Sequence, residues 1–112
     1  MSLKTLDLET IAKLKSLNSE SDSNFFKDLL TMFLESAPQQ IEKLGEHLKS
    51  KNLSALQREA HSLKSSAANL GAINLSDLCQ KAEASQDLNS ARRFVEEIKT
   101  EWEKVQAAAA AL

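Results

Sequence analysis

Between residues 53 and 70 six apolar side chains, Leu53, Leu56, Ala60, Leu63, Ala67 and Leu70, recur at spacings of 3, 4, 3, 4 and 3. Only an α-helix returns side chains to one face at that rhythm, and a helix with one apolar stripe has to be covered by other helices. The rest of the chain supplies the cover. Asp7 reads as the N-cap of a short helix with Leu8, Ile11, Leu14 and Leu17 on one side, and residues 18–22 as a polar loop. Phe25, Phe26, Leu29, Leu30, Phe33 and Leu34 form a wider band that is expected to end near Ala37. Pro38 disfavours helical geometry in the residue before it and lacks a backbone donor, so it either kinks a long helix or starts a new one. Ile41, Leu44 and Leu48 carry the period on to about Ser50, with Gly45 as a tolerated weak spot and Lys51 and Asn52 as the turn.

Past the central stripe, Gly71 stands where a helix C-terminus wants a left-handed residue. Asn74, with Asp77 three positions on, resembles a capping box for the next helix. That helix turns Leu75, Leu78, Cys79 and Ala82 inward; residues 87–90 form the next break. Ala91, Phe94, Ile98, Trp102, Val105 and Ala109 make the last stripe, and residues 107–112 read as a fraying helical end. Two Gly and one Pro in 112 residues leave little turn or strand punctuation. Short connections make successive helices antiparallel. The expected fold is therefore all-α, an antiparallel up-and-down four-helix bundle with an accessory N-terminal helix, residues 1–112 forming one domain. Its 42% hydrophobic residues suffice for one core with a radius of gyration near ~13 Å.

Charge and cysteine content narrow the function. Fourteen Lys and Arg against sixteen Asp and Glu, with the signs interspersed, give no basic stripe, so no nucleic-acid partner is expected. No apolar run approaches the ~20 residues that cross a bilayer, and no membrane contact is expected. The N-terminus lacks a signal-peptide pattern and the single Cys79 cannot pair within the chain, so the expected setting is reducing and cytoplasmic. Metal and cofactor are both expected to be absent. His47, His61 and Cys79 show no ligand spacing, and there is no Gly-rich phosphate loop and no GxSxG elbow. Cys79, on the apolar side of its helix, reads as a buried structural thiol. Phe25 and Phe26 read as core, and Arg92 and Arg93 as a solvated face.

His61 is the residue that packing leaves unexplained. At 100° per residue it falls about 130° from the centre of its helix's apolar stripe, which points it at solvent. Gln57 and Arg58 lie one turn before it, Lys64 and Ser65 one turn after, and Ala68 two turns after. An open imidazole with a cation a turn away and short neighbours suits a phosphoryl group and a protein that must come close to deliver it. Exposed helix histidines are also common, and most do nothing, so position alone is permissive. His47, beside Leu44 and Leu48 with no small-residue platform, reads as a solvated or boundary histidine.

The string AHSLKSSAANLGAINLSDLCQKAE, residues 60–83, resembles the signature of the histidine-containing phosphotransfer (HPt) domain of bacterial multistep phosphorelays. The pattern AHxLKG, a small-residue run, NLG and then LxxLCxxxE is matched by Ala60, His61, Leu63, Lys64, Asn69, Leu70, Gly71, Leu75, Leu78, Cys79 and Glu83. The upstream FLESAPQQIEKL, residues 33–44, resembles the family's FLxxxPxxLxxL segment. Ser65 departs from the family's usual Gly. The resemblance implies that His61 accepts a phosphoryl group from a receiver-domain aspartate and passes it to another receiver, with Lys64 steadying the phosphate and Ser65 and Ala68 keeping the site open. It implies that Glu83 holds the other ring nitrogen from the neighbouring helix and that Gln57 flanks the site. Magnesium and the acid chemistry would belong to the receiver, leaving a carrier rather than an enzyme with its own turnover.

The implied partners are response-regulator receiver domains and a hybrid histidine kinase, and the expected state is a monomer, with Trp102 and the alanine tail as the features that suggest weak self-association. Two alternatives stand beside this reading. The dimerising phosphoacceptor domain of a sensor kinase wants an acidic residue after the histidine and a Pro that bends the helix; here Ser62 follows, and no Pro lies in 53–70. A helical adaptor in which His61 is incidental is the other.

Overall fold

The computed structural model describes residues 5–17 and 24–112, so the loop expected at 18–22 lies outside the described residues. Among the described residues five helices follow one another: α1 (Leu8–Ser16), α2 (Phe25–Lys49), α3 (Leu53–Asn69), α4 (Ile73–Glu83) and α5 (Leu88–Ala110). Helix α3 packs on α4, α4 on α5, and α2 on both α3 and α5, which closes an up-and-down bundle of four; α1 is the accessory element. The radius of gyration is 14.6 Å, above the expected value because the chain is elongated, with principal-axis extents of 48 × 30 × 20 Å.

The core is the set of stripes meeting. Leu44, Leu56, Leu63, Leu75, Val95 and Ile98 are wholly enclosed, as are Ala60, Ala67, Ala82 and Ala91. Trp102 is in this core, 7% exposed, its ring edge-on to Phe33 at 5.4 Å. It is therefore not available for the self-association suggested above. Phe26 is buried and Phe25 half-exposed, while Arg92 and Arg93 face solvent.

Several features differ from expectation. Helix α2 runs through Pro38 without ending near Ala37. Proline in a helix interior costs about 3 kcal/mol, but Pro38 is exposed, so the carbonyl it leaves unpaired is on the wet side of the helix. Phe33, Ala37, Ile41, Leu44 and Leu48 keep the buried stripe going on the dry side, where each large side chain contributes roughly 1.5–3 kcal/mol. The expected capping box at Asn74 does not form. Ala72 is the N-cap of α4, Asn74 donates from Nδ2 to Glu101 Oε1 on α5 at 2.7 Å, and Asp77 pairs with Lys81. The break placed at 87–90 falls earlier. Asp87 is already the N-cap of α5, its Oδ1 accepting from the Ser90 amide at 2.8 Å, and Ser90 is helical. Leu8 and Leu17 of the first stripe are exposed, because only Ile11 and, in part, Leu14 of α1 reach the core. The alanine tail is helical through Ala110, with Ala109 buried.

Two turns end in the same hydrogen-bond pattern with different residues. After α3, the Ala72 amide donates to Ala67 O (2.9 Å) and the Gly71 amide to Ala68 O (3.1 Å), with Gly71 at φ 77°. After α2, the Asn52 amide donates to His47 O and the Lys51 amide to Leu48 O, with Lys51 at φ 56°. Both are Schellman turns, whose left-handed position favours glycine. Gly71 also accepts a backbone hydrogen bond from Asp7 at 2.8 Å, and a Cβ there would meet Thr10 Cβ at 3.0 Å and Asp7 O at 3.2 Å. This glycine thus seats α1 on the end of the bundle. Gly71→Ala is expected to cost about 2 kcal/mol from backbone strain and the lost α1 seat, while Lys51→Gly is expected to gain about 1 kcal/mol. Urea unfolding of the two variants checks this, and equal effects of the same sign would contradict it.

Candidate functional site

His61 stands in the middle of α3 with 61% of its side chain exposed, on the face the helical period indicated. Helix α4 runs back alongside, and its last residue, Glu83, reaches across. Glu83 Oε1 lies 2.8 Å from His61 Nδ1, and Glu83 Oε2 accepts a hydrogen bond from Lys64 Nζ at 2.7 Å. One carboxylate therefore holds both the imidazole and the ammonium one turn below it. A carboxylate can only accept, so Nδ1 is the protonated nitrogen. In the neutral ring Nε2 then carries the free lone pair.

Glu83 keeps that ionised form. The Lys64 hydrogen bond is the main cause holding its carboxyl below the ordinary 4.5; partial burial pushes the other way, and the His61 hydrogen bond adds to the lowering. A carboxyl whose pKa falls on folding adds stability above its unfolded value and loses it as pH drops through the folded one. Both contacts should therefore persist at neutral pH and break only on acidification below 4.5. A ¹³C titration of the Glu83 carboxyl should show a midpoint under 4.5, and one at or above it would contradict the shared contact.

Of the other expected residues, Gln57 lines the hollow at His61, whereas Ser65 and Ala68 do not. Gln57 Nε2 donates to the Ser85 carbonyl at 2.9 Å, which ties α3 to the turn after α4. Ser65 donates its hydroxyl to the His61 carbonyl at 3.3 Å and, like Ala68, is exposed on the same side of α3. Ser54, Gln57, Arg58, His61 and Glu83 line an open hollow of about 570 Å³. Lys64, 27% exposed, is turned to Glu83, whereas Arg58, anchored by Nη1 to Ser54 Oγ at 3.0 Å, lines the hollow itself. Arg58 was noted only as a neighbour of His61; its spacing of three before the histidine was the available signal.

Two residues behave as the sequence indicated. His47 is a boundary group, its Nε2 3.8 Å from Glu59 Oε1. Cys79 is enclosed beneath the site, and burial pushes its thiol up to about 12. It should resist iodoacetamide in the native state and react only at the rate of unfolding. Fast alkylation of folded protein would contradict its burial. Among the described residues no group of three or more His, Cys, Asp or Glu is placed to hold a metal ion.

The match that decides the family covers residues 28–108, which correspond to the Hpt domain. The chain belongs to the Hpt domain family. This Hpt chain is 33% identical over 82 residues to the phosphorelay intermediate protein YPD1 of Candida albicans, covering 72% of this chain and 45% of that one. It thus spans less than half the length of that relative. Its fold is similar to that of histidine-containing phosphotransfer protein B (HptB) of Pseudomonas aeruginosa, with a TM-score of 0.78 and 26% identity over 96% of this chain and 92% of that one. The histidine-containing phosphotransfer protein MtHPt2 of Medicago truncatula shares the fold at 20% identity, with a TM-score of 0.83 over 96% and 76% of the two chains. The bundle expected from the helical stripes is thus the Hpt fold. No helix among the described residues is long and apolar enough to cross a membrane.

Proposed function

We propose that this Hpt domain, residues 1–112 acting as one unit, carries a phosphoryl group on His61 between receiver domains. The observation that carries this reading is the exposed imidazole lining the hollow, whose Nδ1–H is held by Glu83 so that Nε2 keeps the free lone pair. Nε2 attacks the phosphorus of a receiver's aspartyl phosphate; the P–O bond to the aspartate breaks, the N–P bond forms, and the aspartate leaves as a carboxylate. The ring gains positive charge as the bond forms, and Glu83 stabilises it through Nδ1–H. Lys64 and Arg58 offset the phosphoryl charge, Gln57 flanks the site, and Ser65 and Ala68 leave room for the receiver's backbone. The reverse step on a second receiver returns the ring to its starting form, so the domain has no turnover of its own and needs no metal or cofactor.

A hybrid histidine kinase is the proposed source of the phosphoryl group, reached through its receiver. The domain is proposed to act as a monomer in the cytoplasm, without contact to membrane or nucleic acid. The free, buried Cys79 agrees with a reducing setting. The test is to incubate the chain with receivers phosphorylated in the presence of magnesium and to follow the label. Acid-labile, base-stable label on this chain is expected. No label from a broad receiver panel, with circular dichroism unchanged, would overturn the proposal in favour of a helical adaptor.

A further inference from the structure

Helix α4 has a second functional-looking face. Asn74 lies nine residues before Glu83, which at 100° per residue puts the two on opposite sides of α4. Asn74 therefore faces away from the His61 hollow, towards α5. There an open groove of about 450 Å³ runs between the helices, with Asn74 on one wall and Glu96, Glu97, Glu101 and Lys104 on the other. Glu101 is only 3% exposed. Its Oε1 accepts from Asn74 Nδ2 at 2.7 Å, but its Oε2 is buried with no hydrogen-bond partner. A buried carboxylate oxygen without a donor is costly, and native proteins rarely leave one so unless something else supplies the donor.

The chemistry of the donor follows from the walls. Three carboxylates against one lysine make the groove anionic, so the missing donor is cationic. A metal ion is a poor fit, because no group of three or more ligating side chains converges among the described residues. A guanidinium fits better: its forked N–H groups can serve Glu101 Oε2 and a second carboxylate, Glu97, one turn away on α5. The terminal torsion of a glutamate carboxyl is soft, so Oε2 can turn to meet it.

We infer that the α4–α5 groove is a docking site for an arginine side chain of a protein partner, anchored by Glu101 and separate from the phosphoryl site. A partner held there leaves the His61 hollow open, so arginine docking and phosphoryl transfer can occur on one molecule.

The test is a ¹H–¹⁵N NMR titration of the full chain with acetyl-Gly-Arg-Gly-amide, its citrulline counterpart and magnesium chloride. Saturable shifts centred on Asn74, Glu97 and Glu101 are expected with the arginine peptide. They should be at least tenfold weaker with citrulline and with the Glu101→Gln variant, which keeps the acceptor for Asn74. Glu97→Gln should weaken them several-fold and guards against loss of fold in the first variant. Shifts of equal size with citrulline, shifts unchanged in Glu101→Gln, no saturable shift at all, or tighter binding of magnesium at the same residues would each overturn the inference. None of these outcomes depends on whether His61 accepts a phosphoryl group.

Discussion

His61→Gln should take up no label from any phosphorylated receiver, a loss on the order of a thousandfold or more. Glutamine can keep a hydrogen bond to Glu83, but its amide nitrogen has no free lone pair to attack phosphorus. The fold should not suffer. His61 is exposed and outside the core, so the change in stability should stay within about 0.5 kcal/mol. His47→Gln is the matched control and should label like the unaltered chain, because His47 is half-buried against Glu59 and does not line the hollow. Label retained on His61→Gln, or lost on His47→Gln, would assign the acceptor elsewhere.

Leu63→Ala should be the most destabilising of the single changes considered. Leu63 is two residues from His61 on the opposite, inward side of α3, and none of its surface is exposed. Truncation removes buried methyl groups and leaves a cavity that a closely packed four-helix core fills poorly, at about 3 kcal/mol. Against a typical total of roughly 5–15 kcal/mol that is a large share, and it should lower the melting temperature by roughly 10–15 °C. Well below the new midpoint, the His61–Glu83–Lys64 contacts are expected to persist and labelling to continue. A cost under about 1 kcal/mol in urea unfolding would mean that the stripe is not packed as described.

The sequence was most readable where one local force dominates. In α3 the apolar spacing, the left-handed glycine that ends the helix and the solvent-facing His61 all follow from the helical period and one turn. The misplaced features each depend on a neighbour distant in the chain. Pro38 stays helical because α3 and α5 cover the other side of α2; a local rule weighs the missing hydrogen bond and not that burial. Asn74 has the chemistry of a cap, but Glu101, 27 residues on, takes its amide instead. Glu101 and Val95 of α5 are buried although the stripe was drawn through Phe94, because the contact face of α5 is shared between α4 and α2 and is wider than one stripe. For the site, the residues flanking His61 were legible from spacing. The sharing of Glu83 between His61 and Lys64 depends on where α4 ends beside α3, which no spacing within α3 encodes.

The open hollow at His61 holds one imidazole. A receiver delivering a phosphoryl group and a receiver taking it away therefore have to occupy the same place in turn. On the function proposed above, the relay is expected to follow ping-pong kinetics, with each receiver in its unreactive form a competitive inhibitor of the other. Flux through such a carrier is greatest when the two receivers are balanced and falls when either is made in excess, so the abundance of the partners sets the gain of the pathway as directly as any signal at its input.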